Sequence, residues 1–207
     1  MTLQNRIRPD GAAEAVAARG LFTGNRGILH DPATRRLTGR RWTTTAWIAC
    51  ALVHKDVRRV PMARRSWTEL FFLDEVTALA AGHRPCFACR PRAARAFLAA
   101  ASGARSPRAF KLDERLHAER RLSARAPARA LTTRELARLP DGAMIAAGER
   151  FFAVRKGRAL AWTHHGYDRS LAFGELAGLA VSQVTADCVL EAFAAGYRPV
   201  WHPSAER

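Results

Sequence analysis

The chain has 207 residues, 48% of them hydrophobic, enough to fill a core without staples. Lys and Arg number 34 against 18 Asp and Glu, giving a net charge of +16, the electrostatic footprint of a phosphate-backbone partner, with DNA the first to expect and RNA the second. No window nears the ~18 uninterrupted apolar residues of a membrane span, and MTLQNRIRPD lacks the apolar core of a secretory signal, so a cytoplasmic protein with no membrane partner is expected.

The positive charge is almost all arginine, with lysine only at Lys55, Lys111 and Lys156, in an alanine-rich chain. Coding from a GC-rich genome produces that pairing too, but arginine suits planar, bidentate contact with phosphate and guanine better than lysine does.

Residues 1–20 alternate charged and small types without a period and read as a short arm or a loosely docked helix. Asn25-Arg26-Gly27 offers backbone donors and a guanidinium in a glycine-containing loop, suited to phosphate but matching no complete nucleotide-binding pattern. From Arg41 to Val60 the run RWTTTAWIACALVHKDVRRV mixes β-branched and aromatic residues, which predicts two strands around a turn at Lys55-Asp56. Ser66 followed by Glu69 reads as a capping box, opening a helix with Leu70, Phe71, Val76 and Leu79 on its apolar positions and Gly82 as its stop.

Pro91 begins a helix to about Ala101, and Ser106-Pro107 begins another, AFKLDERLHAERRL. Composition shifts after Pro127. Thr132 and Glu135 form a second capping box, and Asp141-Gly142 opens the runs AMIAA, RFFAVR and RALAWT, a β-meander with glycine-bearing turns. A closing helix runs from about Ala186 to Gly196. The fold class is α+β: an arm over 1–20, a module over 21–101, a helical connector over 102–139 and a small α+β region over 140–207. The stretch from Val76 to Pro85 is echoed by Val184 to Pro199, which reads as a shared helix-stop device and not as a repeat.

Cys86 and Cys89 enclose two residues, the spacing at which one tight turn points two thiolates at one ion. Cys50 and His54 lie upstream, and Arg84, Arg90 and Arg92 surround the pair. A metal site of Cys50, His54, Cys86 and Cys89 is predicted, with zinc preferred over an iron-sulfur cluster because only three cysteines converge. A redox pair and inert buried cysteines are the alternatives. In one continuous strand, Cys50 and His54 would stand ~13 Å apart at ~3.3 Å per residue, so sharing an ion requires the strand to break at Cys50. His30, His83, His117, Cys188 or a water could take the fourth place instead, although Cys188 lies on an apolar helix face and reads as core.

The segment Thr44-Thr45-Ala46-Trp47-Ile48-Ala49-Cys50 and the later run Leu79-Ala80-Ala81-Gly82-His83-Arg84-Pro85-Cys86-Phe87-Ala88-Cys89-Arg90-Pro91 resemble the metal-binding domain of the Ada family of bacterial alkylation-response proteins. The resemblance covers residues 39–91, about a quarter of the chain, and no Ada-type helix-turn-helix or alkylguanine transferase segment follows. It implies a zinc site, DNA as partner and, for Cys50, the role of accepting a methyl group from a methylated DNA phosphate. His54 replaces the family's second cysteine, and His83 stands where the family has phenylalanine.

Asp113, Glu114 and His117 share a helical face in DERLHAER, which suits a general base or a metal-dependent nuclease, or else a solvated face of ion pairs. His164-His165 fall in a polar turn. Trp42, Trp47, Trp67, Trp162 and Trp201 are candidates for base stacking or for core. The reading is a zinc-containing nucleic-acid-binding protein linked to alkylation damage, with Arg40, Arg41, Arg84, Arg90 and Arg92 on phosphates. Its rivals are a nucleic-acid hydrolase using His117 and a noncatalytic zinc-stabilised interaction protein, and whether the chain is an enzyme is left open.

Overall fold

A computed structural model describes residues 2–55, 60–64, 66–103, 107–125 and 129–206, with 121–125 described by backbone alone. The α+β class holds. Six strands, β1 (Arg6–Ile7), β2 (Ala13–Glu14), β3 (Phe22–Asn25), β4 (Ile48–Ala51), β5 (Leu70–Phe72) and β6 (Arg84–Pro85), form one sheet in the order β2-β1-β5-β3-β4-β6. The β1/β5 and β4/β6 pairs are parallel and the others antiparallel. The second sheet is antiparallel, with β7 (Met144–Ala147), β8 (Arg150–Arg155), β9 (Arg158–Thr163), β10 (Gly166–Ala172) and β11 (Val181–Gln183) in the order β10-β9-β8-β7-β11.

The expected meander is the β7-β8-β9 part of this sheet, and its turns fall at Gly148 and at Lys156-Gly157, where the backbone has positive φ. Within the expected arm, residues 2–20 are neither free nor helical. Asn5 is buried and its side chain donates to the Glu69 carbonyl at 3.0 Å, while Ile7 is in the core. The short strands β1 and β2 thereby close one edge of the first sheet.

Helix α1 (Glu75–Ala80) is shorter than Ser66 and Glu69 predicted. Leu70–Phe72 alternate buried, half-buried, buried, and pair on both sides with β1 and β3, so tertiary pairing claims them for a strand. The Ser66 hydroxyl does bond the Glu69 carboxylate, but the other Glu69 oxygen takes the Met62 N–H at 2.6 Å, so the pair secures a loop. The helix starts instead at Asp74, whose carboxylate accepts from Thr77 N at 2.9 Å. It stops at Gly82, φ +80°, in a Schellman motif: His83 N bonds the Ala78 carbonyl and Gly82 N the Leu79 carbonyl, both at 2.9 Å.

Helix α2 (Pro91–Ser102) begins at its proline as expected. Helix α3 (Ala109–Arg125) follows, although Ser106, Pro127 and the expected turn residue Asp56 lie outside the described residues. Helix α4 (Thr133–Leu136) has both halves of its capping box. Helix α5 (Asp187–Ala194) closes with the same Schellman pair, Tyr197 N to Ala192 O at 2.9 Å and Gly196 N to Phe193 O at 3.0 Å, which accounts for the sequence echo as a shared cap.

All six residues of α1 are buried, and three cores meet on it. Leu79 joins α2, α3 and α5; Val76 and Ala80 join the inner face of the second sheet at Met144, Phe151 and Leu160; Ala78 and Ala81 lie against the first sheet. The cores thus run across the boundary expected over 102–139. At the helix start, Asp74 also accepts from Tyr167 Oη at 2.8 Å and His202 N at 3.1 Å. Glu75 accepts from Tyr197 Oη at 2.6 Å, Val200 N at 2.9 Å and Arg90 Nη2 at 2.8 Å.

Removing one member of a buried ion pair leaves the other charge unsatisfied, a cost of about 3–5 kcal/mol. Glu75→Ala and Arg90→Ala are each expected to lose stability of that order in denaturant titrations. The double variant should lose clearly less than the two losses combined, and strict additivity would show that the pair is not coupled.

Candidate metal centre

The parallel pairing of β4 with β6 builds the cysteine cluster. The register sets Ile48 against Arg84 and Ala49 against Pro85, so the next residues out, Cys50 and Cys86, come side by side. Cys86 N donates to the Ala49 carbonyl at 3.0 Å, holding the two chains together at that point. A tight turn over Phe87 and Ala88, closed by Arg90 N on the Cys86 carbonyl at 2.9 Å, then brings Cys89 back over β4. There Ala51 N donates to Cys89 Sγ at 3.4 Å.

The three Sγ atoms lie within 4.8 Å of one another, and all three residues are half-buried. Thiolates ~2.3 Å from a tetrahedral zinc stand ~3.8 Å apart, so only a small contraction separates this arrangement from a bound one. The three cysteines form a group that could hold a metal ion.

Within the cluster the three thiols differ in how readily they ionise. Cys86 is pulled down to about 4, mainly by a hydrogen bond from Cys50, with backbone N–H groups of Cys89 and Ala88 assisting against the effect of burial. Cys50 is pushed well up by that same bond, and then by burial and the neighbouring thiol charges. Cys89 is raised by burial. A divalent cation is what allows three crowded thiols to ionise together.

The predicted residues separate sharply. Strand β4 ends one residue after Cys50, so the chain does break where a shared ion would require it, but His54 is exposed in the following turn and is not among the grouped ligands. His30 is a core residue, bonded to Thr68 Oγ1 at 2.8 Å and facing the Ala63 carbonyl. Cys188 is buried on α5, within the core that the apolar face implied. His164 contacts Glu14 at 2.8 Å, tying the turn between β9 and β10 to β2.

Two of the arginines expected on phosphates serve the interior. Arg84 is 6% exposed and grips both carboxylate oxygens of Asp113, at 2.7 and 2.8 Å. Arg90 is paired with Glu75. Arg40, Arg41 and Arg92 are exposed. Because Asp113 is committed to Arg84, and Glu114 pairs with Lys111 at 2.9 Å, neither carboxylate is dedicated to His117, which instead stands edge-on to Trp42 with ring centroids 5.2 Å apart. Sequence reading missed Asp74 and Glu75, whose signal was two consecutive carboxylates beside an otherwise apolar helix.

His83 is fully buried between Phe72 and Trp47, and Arg26 Nε donates to its Nε2 at 3.2 Å. Burial first, then the Arg26 and Arg120 charges, hold its pKa well below the usual imidazole value. The unfolded chain protonates this ring near pH 6.5 while the folded protein does not, so stability should fall as pH drops below about 6.5, by at most ~1.4 kcal/mol per pH unit from this residue. His83→Phe should be less stable at neutral pH but show a shallower loss between about pH 6.5 and pH 5. An unchanged slope in pH-dependent denaturant midpoints would refute this role. Comparison of the chain with protein-family models, with curated proteins and with solved structures finds no match.

Proposed function

We propose that Cys50, Cys86 and Cys89 hold one zinc ion and that the protein binds nucleic acid through its exposed arginines. The convergence of three Sγ atoms within 4.8 Å carries the reading. Soft thiolates on a tight turn favour zinc among the divalent ions a cell supplies. The net charge of +16 supports a polyanionic partner, with Arg40, Arg41 and Arg92 as phosphate contacts in place of the inward-turned Arg84 and Arg90. The resemblance to the Ada metal-binding domain extends the reading to alkylated DNA. In that chemistry the Cys50 thiolate attacks the methyl carbon of a methyl phosphotriester, the carbon–oxygen bond breaks, and a phosphodiester leaves.

On this reading zinc ligation fixes the turn that follows β6, and the exposed Arg92 opens the helix directly after that turn. Duplex DNA is expected to bind in mobility-shift titrations with affinity falling steeply as salt rises, and the triple variant Arg40→Gln/Arg41→Gln/Arg92→Gln should bind at least tenfold more weakly with a smaller salt slope. No binding at low salt would end the nucleic-acid reading. With methyl-phosphotriester DNA, a 14 Da gain on Cys50 by peptide mass spectrometry is the signature of transfer, and Cys50→Ser should lose it while still binding DNA.

A further inference from the structure

A second feature lies apart from the cysteines. Between the first sheet, α3 and the second sheet is a cavity of about 990 Å³, at the upper end of what small-molecule sites occupy. No cysteine lines it; Arg26, Arg41, Arg120, Trp42 and Trp47 do.

Arg26 and Arg120 are the unusual members. Arg26 is 5% exposed, at the end of β3, with Nη1 on the Gly11 carbonyl at 2.9 Å and Nε on His83. Arg120, on α3, donates Nε to its own helix at the Leu116 carbonyl and Nη2 to the Thr45 carbonyl, at 2.8 and 3.0 Å. The two guanidinium carbons lie 4.2 and 3.9 Å from the Trp47 ring centroid, so one indole supports both cations. Neither forms an ion pair with a described residue. Each keeps one buried N–H group, Arg26 Nη2 and Arg120 Nη1, without a hydrogen-bond partner among the described residues.

One buried and one half-buried guanidinium, neither of them ion-paired with a described residue, face one cavity, an arrangement that an anion would stabilise. Burial is the main cause lowering both, Arg26 to about 9 with help from the Arg120 and Arg41 charges, and Arg120 to about 10. Of the wall's four carboxylates, Asp10 pairs with Arg8, Glu119 pairs with Arg115 and caps α5 at Cys188 N, and Asp187 accepts from Gln183 Nε2 at 2.6 Å, while the exposed Glu149 forms no ion pair with a described residue and faces solvent. The backbone also makes room. A Cβ on Gly82 would stand 2.2 Å from Arg120 Cδ, so the side chain could not keep its present path past the glycine that follows α1; a Cβ on Gly11 would crowd Arg26 Nη2 at 3.2 Å.

We infer that this cavity binds a phosphate monoester, with phosphate oxygens accepting from Arg26 Nη2 and Arg120 Nη1 and a planar group resting against the half-buried Trp42. The volume far exceeds inorganic phosphate and suits a nucleotide-sized ligand, whether a free nucleoside monophosphate or the 5′-phosphorylated end of a nucleic acid. The site stands independently of the zinc reading, since no metal ligand reaches it.

The test is calorimetric and fluorescence titration of the full chain with AMP, adenosine and inorganic phosphate, and with an oligonucleotide carrying either a 5′-phosphate or a 5′-hydroxyl. AMP should bind saturably, adenosine at least tenfold more weakly, and phosphate should compete with AMP. Arg120→Gln should weaken AMP at least tenfold with unchanged metal content. The exposed Arg41→Gln, which spares the core, should weaken it by a smaller factor, and Arg158→Gln on the meander should change nothing. Tighter binding of the 5′-phosphate oligonucleotide than of AMP would assign the site to a nucleic-acid end, and the reverse to a free nucleotide. The inference is overturned if neither AMP nor phosphate binds saturably, if Arg41→Gln and a folded Arg120→Gln bind as the parent does, or if Arg158→Gln weakens binding as much as they do.

Discussion

Two consecutive buried carboxylates, Asp74 and Glu75, hold the rest of the structure in register. Four donors converge on Asp74, from Thr77 N, Thr77 Oγ1, Tyr167 Oη and His202 N, and three on Glu75. Those donors come from the helix itself, from the second sheet, from the C-terminal segment and from the residue after Cys89. A carboxylate in a dry interior is tolerated only when its lone pairs are filled, so these seven bonds fix where four parts of the chain meet. Through Arg90, the same helix steadies the turn that carries Cys86 and Cys89.

Much of the local structure was legible because it rests on local chemistry. Pro91 at a helix start, the Thr132–Glu135 capping box, and glycines at the meander turns and after α1 and α5 behave as their backbone preferences require. What was illegible depended on distant partners. Ser66 and Glu69 have capping-box spacing, but β1 and β3 flank the following residues and make them a strand. The N-terminal twenty residues carry no period because β1 and β2 are only two residues each, too short for one to appear. A parallel β4/β6 contact separated by more than thirty residues leaves no local trace at all, though it is what places Cys50 beside Cys86.

The run from Leu79 to Pro91 can now be taken residue by residue. Gly82 closes α1 and lets Arg120 pass; His83 packs under Arg26; Arg84 holds Asp113; Arg90 holds Glu75; Pro91 begins α2. Packing accounts for all of these, including two arginines that sequence alone assigned to phosphate. It does not account for Cys86 and Cys89, which are half-buried and contribute little to any core, and whose sulfurs gather with a third. The arginines without an ion pair among the described residues include the exposed Arg40, Arg41 and Arg92 and, facing the cavity, the buried Arg26 and half-buried Arg120, each of which keeps one N–H group without a hydrogen-bond partner.

The central claim is that the three cysteines ligate one metal ion, and elemental analysis of purified protein, expressed with zinc supplied and desalted without chelator, tests it most directly. The account predicts about one equivalent of zinc per chain, falling below about 0.2 in folded Cys86→Ser and Cys50→Ser variants, while His54→Ala keeps its zinc. Metal-free parent protein, or zinc content unaffected by the cysteine substitutions, would contradict it.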